Sequence, residues 1–408
     1  MFANLLDWLR GWPSRAETLL VGVLPREVRR SMYTDLYSAC TISVLVAILN
    51  FIPIILRRQG ATDNQIALYY AITALGLLTT GLAIWLSSRL GMLRVTLASW
   101  LAGRGSFFLT ALATGPSALL AILSVFWLLE SWTGPAYVHA LQVLYPASQR
   151  GRIMGLVRVG LVGTILVFTP LAGWILDRFG FRVLLPMAGV SGIIATLIFW
   201  PVMRTVPEPA ARPAQARLRP WQPLLSDRRL AIYLAGSLLF GLGVLISAPL
   251  FPSVQVDRLN LSYTDVGLLG FVQSFFWLLG YAFGGRLLDR LGGIRCLQFV
   301  CLINALVMLP YVVATQGWML LPAFAAAGIV AAGADLTTLY TLIDLAGPDR
   351  VSEYTAINST FAGVRGLVGP FVGPLLLAAG WPLSSIFLLC AALTVAGAGA
   401  LVFIPRSS

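Results

Sequence analysis

A basic, proline-broken stretch at residues 204–229 divides the chain. It reads RTVPEPAARPAQARLRPWQPLLSDRR, with six Arg, five Pro and no apolar run long enough to bury. Roughly two hundred residues of almost unbroken apolar sequence lie on each side of it. A segment of this kind cannot sit in hydrocarbon, where every backbone polar group must be satisfied within the fold. It therefore lies in water on one face of a membrane and separates two membrane-embedded halves. Composition agrees: charged residues make up 11% of the chain, against about 25% in soluble domains. A net charge of +12 would suggest nucleic acid in a soluble protein. Here the placement of the charge decides, and all 28 basic residues are Arg.

The two halves are related. A shift of 200 residues lays Arg150 on Arg350, Gly163 on Gly363, Pro170 on Pro370, Gly173 on Gly373 and Gly180 on Gly380. A shift of 201 lays Arg89, Leu90, Gly91 and Arg94 on Arg290, Leu291, Gly292 and Arg295, and a shift of 199 lays Pro53 on Pro252. The order is kept and the shift barely drifts, as in an old duplication. Internal repeats of this size are a signature of secondary transporters.

About 20 apolar residues span ~30 Å of hydrocarbon. On that rule the chain holds twelve spans, near 34–56, 64–87, 93–114, 117–141, 153–176 and 183–203, then 230–254, 265–288, 296–315, 319–342, 354–378 and 384–404. The fold expected is an all-α membrane protein of two six-helix halves, 31–203 and 230–404, joined by the linker 204–229. Residues 1–30 read as an amphipathic segment on the membrane surface, and 405–408 as a short tail. With the N-terminus inside, inner segments hold 20 of the Arg residues, outer segments 5, and 3 fall within helices. The positive-inside rule then puts both termini and the linker in the cytoplasm, in the plasma (inner) membrane of a prokaryote.

One loop carries a family resemblance. Between the eighth and ninth spans the chain reads Gly284-Gly285-Arg286-Leu287-Leu288-Asp289-Arg290-Leu291-Gly292-Gly293-Ile294-Arg295. This resembles the signature loop of the major facilitator superfamily, in which Gly285, Asp289, Arg290, Gly292 and Arg295 hold the motif positions. The first-half copy keeps Arg89, Gly91 and Arg94 but has Ser88 at the acid position. The resemblance implies a transporter working by alternating access, with helices one, four, seven and ten around a central cavity. In drug/proton antiporters of the family a Gly-Pro pattern marks helix five; here Thr169 stands before Pro170. Those antiporters also carry an Arg four residues before a Gly in helix four; here Glu130 stands four before Gly134. Small residues and Pro170 and Pro370 in helices five and eleven suit either close packing or bending.

Charges inside a membrane are functional candidates by default. Arg104 and Glu130 fall at similar depth on adjacent antiparallel helices, as a static pair or as part of transport. Asp335 and Arg365 can meet in the second half, where the repeat places Pro135 and Ile165. Asp35, a further coupling candidate, reads first as a solvated or capping acid and second as a proton-coupling group, Arg158 as snorkelling to headgroups, and His139 as a hydrogen-bonded interface residue rather than a proton relay. Cavity candidates are Tyr37, Asn50, Trp127, Glu130, Tyr137, Gln255, Asp335 and Tyr340.

Function follows as secondary transport of a small molecule, with protons as the coupling ion, Glu130 and Asp335 as carriers, and efflux of amphipathic compounds as one form. The partners expected are the bilayer, the substrate and protons, for a monomer without nucleic acid. The alternative is a transport-inactive sensor of the same fold. No phosphate loop, metal cluster or nucleophile elbow occurs in the sequence, so neither an enzyme nor a cofactor is expected. Cys40, Cys296, Cys301 and Cys390 read as free thiols.

Overall fold

The structure, a computed structural model, describes residues 24–208, 227–347 and 350–405. The expected surface segment up to residue 23, the linker residues 209–226 and tail residues 406–408 lie outside the described residues. No strand occurs among the described residues.

The first half comprises α1 (Arg26–Arg58), α2 (Asp63–Leu78 and Thr80–Leu90), α3 (Met92–Gly105, continued by Ser106–Leu112), α4 (Pro116–Ser131 and Gly134–Leu144), α5 (Ala147–Phe179) and α6 (Phe181–Met203). The second comprises α7 (Arg228–Arg258), α8 (Tyr263–Leu291), α9 (Gly293–Val313), α10 (Leu321–Ala346), α11 (Val351–Ala378) and α12 (Leu383–Val402). Ten of the described helices are long and apolar enough to cross a bilayer, and α2, bent by 45°, makes an eleventh if its parts form one span. The expected span near 93–114 falls short of that length as regular helix. In α3 the α-helix stops at Gly105 and tightens into a 3-10 helix. There Ser106 Oγ donates to Gly103 O at 2.7 Å and Thr110 Oγ1 to Phe107 O at 2.5 Å. Hydroxyls that bond three residues back favour this tighter turn. At the other end, α1 already begins at Arg26, so the last residues of the expected surface segment belong to the first membrane helix.

Proline explains the main break. Pro135 has no N–H for the carbonyl of Ser131, and its ring crowds the preceding turn; α4 is interrupted at Trp132 and Thr133. The matching position in α10 is Asp335, and α10 runs unbroken from Leu321 to Ala346. The break in α4 is tied to the bend in α2, because Trp132 Nε1 donates to Thr79 Oγ1 at 3.1 Å. At the start of α7, Asp227 accepts from the N–H of Arg229 at 2.8 Å and of Leu230 at 3.3 Å, and from the hydroxyl of Tyr354 on α11. Burial raises the pKa of this carboxyl, but those hydrogen bonds outweigh it and hold the group below its ordinary value.

The halves meet along two crossings, α5 against α8 and α2 against α11, which the duplication exchanges. Both depend on residues without a side chain. A methyl group on Gly173 would fall on the backbone carbonyl of Tyr263, and one on Gly267 on the backbone of Thr169 and Pro170. On α11, Gly363 and Gly366 meet Leu78 and Ala74, while Gly369 and Gly373 face Leu245 and Ile246 of α7. Pro170 and Pro370 lie inside helices that remain continuous. We will call the face where the linker joins α6 to α7 the linker face and the opposite one the far face.

The two kinds of glycine should separate in a melting experiment. Gly163, with open space around its Cβ position, should accept Ala with an unchanged or slightly raised melting temperature. Gly173→Ala forces backbone apart and should destabilise by about 1–3 kcal/mol, the usual cost of overpacking. Equal melting temperatures for the two variants would refute the assigned contact.

Candidate functional site

Pro53 and Pro252 occupy equivalent places in the two halves, and each disturbs its helix. The α1 helix breaks at Asn50 and Phe51 before resuming at Ile52. The α7 helix gives way at Pro249 and Pro252 to a 3-10 turn and then to a wide π turn, Ser253–Arg258. The two breaks flank a cavity of about 260 Å³ between the halves. Asn50, Tyr70, Thr169, Gln255, Gln273 and Tyr311 supply its polar groups, and Phe251 and Phe324 are among its apolar ones. No charged side chain lines it. Gln255 Nε2 donates to the hydroxyl of Tyr311 at 2.8 Å. Phe251, with rings stacked on Phe387 at 5.6 Å, forms a fixed wall.

Polar contacts between the halves close the far face. Arg57 Nε donates to Asp257 across the halves at 2.8 Å and Arg57 Nη1 to Asp63 of its own half at 3.0 Å, while Ser253 donates to Asp63 across the halves at 2.8 Å. Arg58 bonds the carbonyl of Leu261 and lies over the ring of Tyr263 at 3.9 Å. Asp177 at the end of α5 accepts from the N–H of Tyr263 at 3.1 Å and of Thr264 at 2.7 Å, at the N-terminus of α8, where a carboxylate complements unsatisfied N–H groups.

A second cavity, of about 420 Å³, is lined by α1, α3, α4, α5 and α6 and holds most of the intramembrane charge. Arg104 grips Glu130 through two bonds, Nη2 to Oε1 at 2.7 Å and Nε to Oε2 at 3.1 Å. Its third nitrogen donates to Gly192 O at 3.0 Å and to Thr196 Oγ1 at 2.7 Å. Asp35 is 2% exposed and accepts from the hydroxyls of Tyr137 at 3.0 Å and Tyr145 at 2.9 Å. Arg158, at the rim, reaches across the halves to Asp335 at 2.8 Å, and Tyr281 donates to the same carboxylate oxygen. The side chains of Arg158 and Asp335 are 52% and 39% exposed.

The sequence profile of the Major Facilitator Superfamily matches residues 36–317, more than half of the chain. The chain belongs to that superfamily. Two crystal structures of the nucleoside transporter NupG share its fold. The D323A mutant superposes with a TM-score of 0.70 at 12% identity, covering 93% of this chain and all of that one. A second NupG structure gives 0.67 at 12% identity, over 94% of this chain and all of that one. No curated protein sequence matches the chain. Membership makes this an integral membrane transporter of the secondary type, and not an enzyme.

The superfamily's signature loops turn on glycine. Gly292 (φ +80°) separates α8 from α9, and Gly91 (φ +92°) separates α2 from α3; only glycine adopts such angles without strain. Gly285, Asp289 and Arg290 are exposed, and Arg295 lies in the first turns of α9. In the first-half loop Arg89 lies over Trp85 at 5.2 Å, and Arg94 belongs to the first turn of α3. The acid missing at Ser88 has a counterpart: Glu208, at the start of the linker, accepts from Met92 N at 2.9 Å and so caps α3.

Several sequence expectations are overturned. Asp335 does not meet Arg365; it pairs with Arg158, while Arg365 crosses Gly241 to bond Ser237 on α7. Arg158 does not snorkel to headgroups, because a carboxylate lies within its reach. Asp35 is neither solvated nor a cap, since two tyrosines enclose it. Tyr340 packs near Gly293 at the start of α9 rather than in the central cavity. Tyr37 stacks with Tyr33, and Trp127 packs edge-on to Tyr69 at 6.3 Å, so neither lines the central cavity. Of the cavity candidates, Asn50 and Gln255 are found there, and Glu130 and Tyr137 in the second cavity. His139 Nε2 lies 3.1 Å from Pro207 O, just beyond the end of α6 in the same half. Tyr70, Gln273, Tyr311 and Phe324 were not foreseen. The available signal was the Pro53/Pro252 match, since interrupted helices in equivalent places mark transporter sites.

Two outcomes follow from this geometry. Removing one member of a buried ion pair costs about 3–5 kcal/mol, and Arg104 has three acceptors against one cation for Glu130. Arg104→Ala should therefore lower the melting temperature more than Glu130→Gln, and the reverse order would discredit the pair as described. Separately, Asp257→Asn should loosen the far face, so that a cysteine at position 50 reacts faster with a maleimide supplied from that side. Unchanged labelling would mean that the Arg57 contacts do not hold it shut.

Proposed function

We propose that the protein is a proton-coupled transporter that moves a small molecule by rocking its two halves about the central cavity. The observation that carries this reading is the pairing of a cavity between the halves with the Arg158–Asp335 bridge, which joins them nearer the linker face. When the halves rock, a bond within one half can persist, whereas a bond across them has to break. Protonating Asp335 removes its charge, weakens the bridge to Arg158 and shifts the balance towards the conformation in which the bridge is absent. Glu130 is in the other class: its partner lies in the same half, and it serves as a fixed pair. The arginine bias supports a cytoplasmic linker face and cytoplasmic termini in a prokaryotic plasma membrane. Each chain carries a whole cavity, which supports a monomeric transporter.

The cavity lining gives less support to efflux of amphipathic cations, because no carboxylate borders it. A nucleoside, the class named for NupG, is one substrate to try.

The test uses proteoliposomes with a pH dye inside and imposed gradients of uracil, uridine, glucose, lactate and tetraethylammonium. The wild type should show proton flux with one of them. Asp335→Asn should abolish that proton flux while leaving downhill exchange of the compound, and Glu130→Gln should keep both. Proton flux that survives Asp335→Asn would remove Asp335 as the carrier. Binding of a compound without any flux would favour the sensor instead.

A further inference from the structure

We propose that the central cavity takes a small, uncharged, flat-ring compound with a hydrogen-bonding edge, such as a nucleobase or an aromatic amide. The proposal rests on the transport reading above and names its substrate class.

Charge is decided first. A charged solute entering this space would give up hydration with no counter-charge in the wall, and an unpaired charge away from water is costly. The charged side chains nearby are committed elsewhere: Arg57 to Asp257 and Asp63, Arg158 to Asp335, Arg104 to Glu130. The ligand must therefore be neutral.

Polarity is decided next. The side chains of Asn50, Tyr70 and Gln273 border the cavity and make no hydrogen bond among the described residues. Gln255 spends one amide proton on Tyr311 and keeps its carbonyl oxygen. An amide offers a donor beside an acceptor, which is the complement of a ring edge carrying the same pair in reverse, as adenine does for Asn and Gln. Such groups, left dry and unpaired by an apolar ligand, would each cost desolvation without return.

Shape comes last. The volume of about 260 Å³ lies at the small end of ligand pockets, roughly 300–1,000 Å³. Phe251 is held by Phe387 and Tyr311, so it offers a rigid face to a ring, and aromatic stacking rewards any flat partner. A long amphipathic molecule does not fit this space.

The test measures binding apart from transport. Purified protein in detergent is melted with uracil, nicotinamide, glucose, lactate or tetraethylammonium at millimolar concentration, and exchange of each is followed in proteoliposomes. Uracil or nicotinamide should raise the melting temperature and exchange. Gln255→Leu and Gln273→Leu should each weaken binding about tenfold, the factor for ~1.4 kcal/mol of lost hydrogen bonding, while the unliganded protein still melts cooperatively. Gln273→Glu should lose the neutral ring compounds and gain tetraethylammonium. Binding of lactate or tetraethylammonium by the wild type in place of the neutral rings overturns the substrate class and leaves the transport reading standing. Glucose bound in preference to both ring compounds overturns the flat-ring assignment. Binding of uracil or nicotinamide without exchange keeps the class and defeats the transport reading. No binding of either ring compound overturns the proposal.

Discussion

A charge that enters hydrocarbon has to bring its partner with it, and the places where this chain obeys that rule set its working parts. Arg104 and Glu130 obey it inside one half, with Gly192 and Thr196 completing the guanidinium. Arg365 obeys it through Ser237, reached only because Gly241 has no side chain to block the way. Arg158 and Asp335 obey it across the two halves. All three satisfy a guanidinium, two with a carboxylate and one with the neutral oxygens of a serine, but they differ in what they join. The first two join helices of one half, whereas the third joins one half to the other.

The duplication shows how such a difference arises from one residue. At the position shared by Pro135 and Asp335, the first half has lost a backbone N–H and its helix breaks. The second half keeps the N–H, so its helix is unbroken and can present a carboxylate towards Arg158. The break in α4 bonds to the bend in α2 through Trp132 and Thr79, so one proline shapes two helices. Where the repeats agree instead, at Pro53 and Pro252, both first helices loosen at the same level and the cavity opens between them. Agreement builds the symmetric site, and disagreement adds the charged bridge beside it.

Much of this was legible in the sequence. Apolar length, the arginine distribution and the repeat specify a two-half helical membrane protein, because a bilayer leaves the backbone few alternatives. The Arg104–Glu130 pair was legible for a related reason: antiparallel neighbours of known length put residues at matching depth. The partner of Asp335 is not legible in the sequence because depth fixes one coordinate only. Arg365 shares that depth, but it points at α7, and rotation about a helix axis is set by packing that no single sequence displays. Asp35 misled because its enclosing tyrosines, Tyr137 and Tyr145, lie more than a hundred residues away. The early end of α3 depended on hydroxyls bonding back within one turn, a choice that helix length and hydropathy do not register.

The distribution of contacts between the halves also bears on how closely balanced the two conformations are. Far-face links such as Arg57–Asp257 are partly exposed, at 21% and 47%, and exposed ion pairs contribute only about 0–1 kcal/mol each. In the proposed cycle, weak links of this kind break at little cost in free energy. The glycine crossings at Gly173–Tyr263 and Gly366–Ala74 involve no strong bond, so they can serve as pivots under both arrangements. In such a balanced system a ligand or proton shifts the population only by the difference in its affinity for the two states. A cavity walled from both halves meets that condition, since its wall changes shape whenever the halves move. Under the proposed rocking, a pair whose partners lie in one half, such as Arg104–Glu130, keeps its partner and so has less leverage than a bond across the halves.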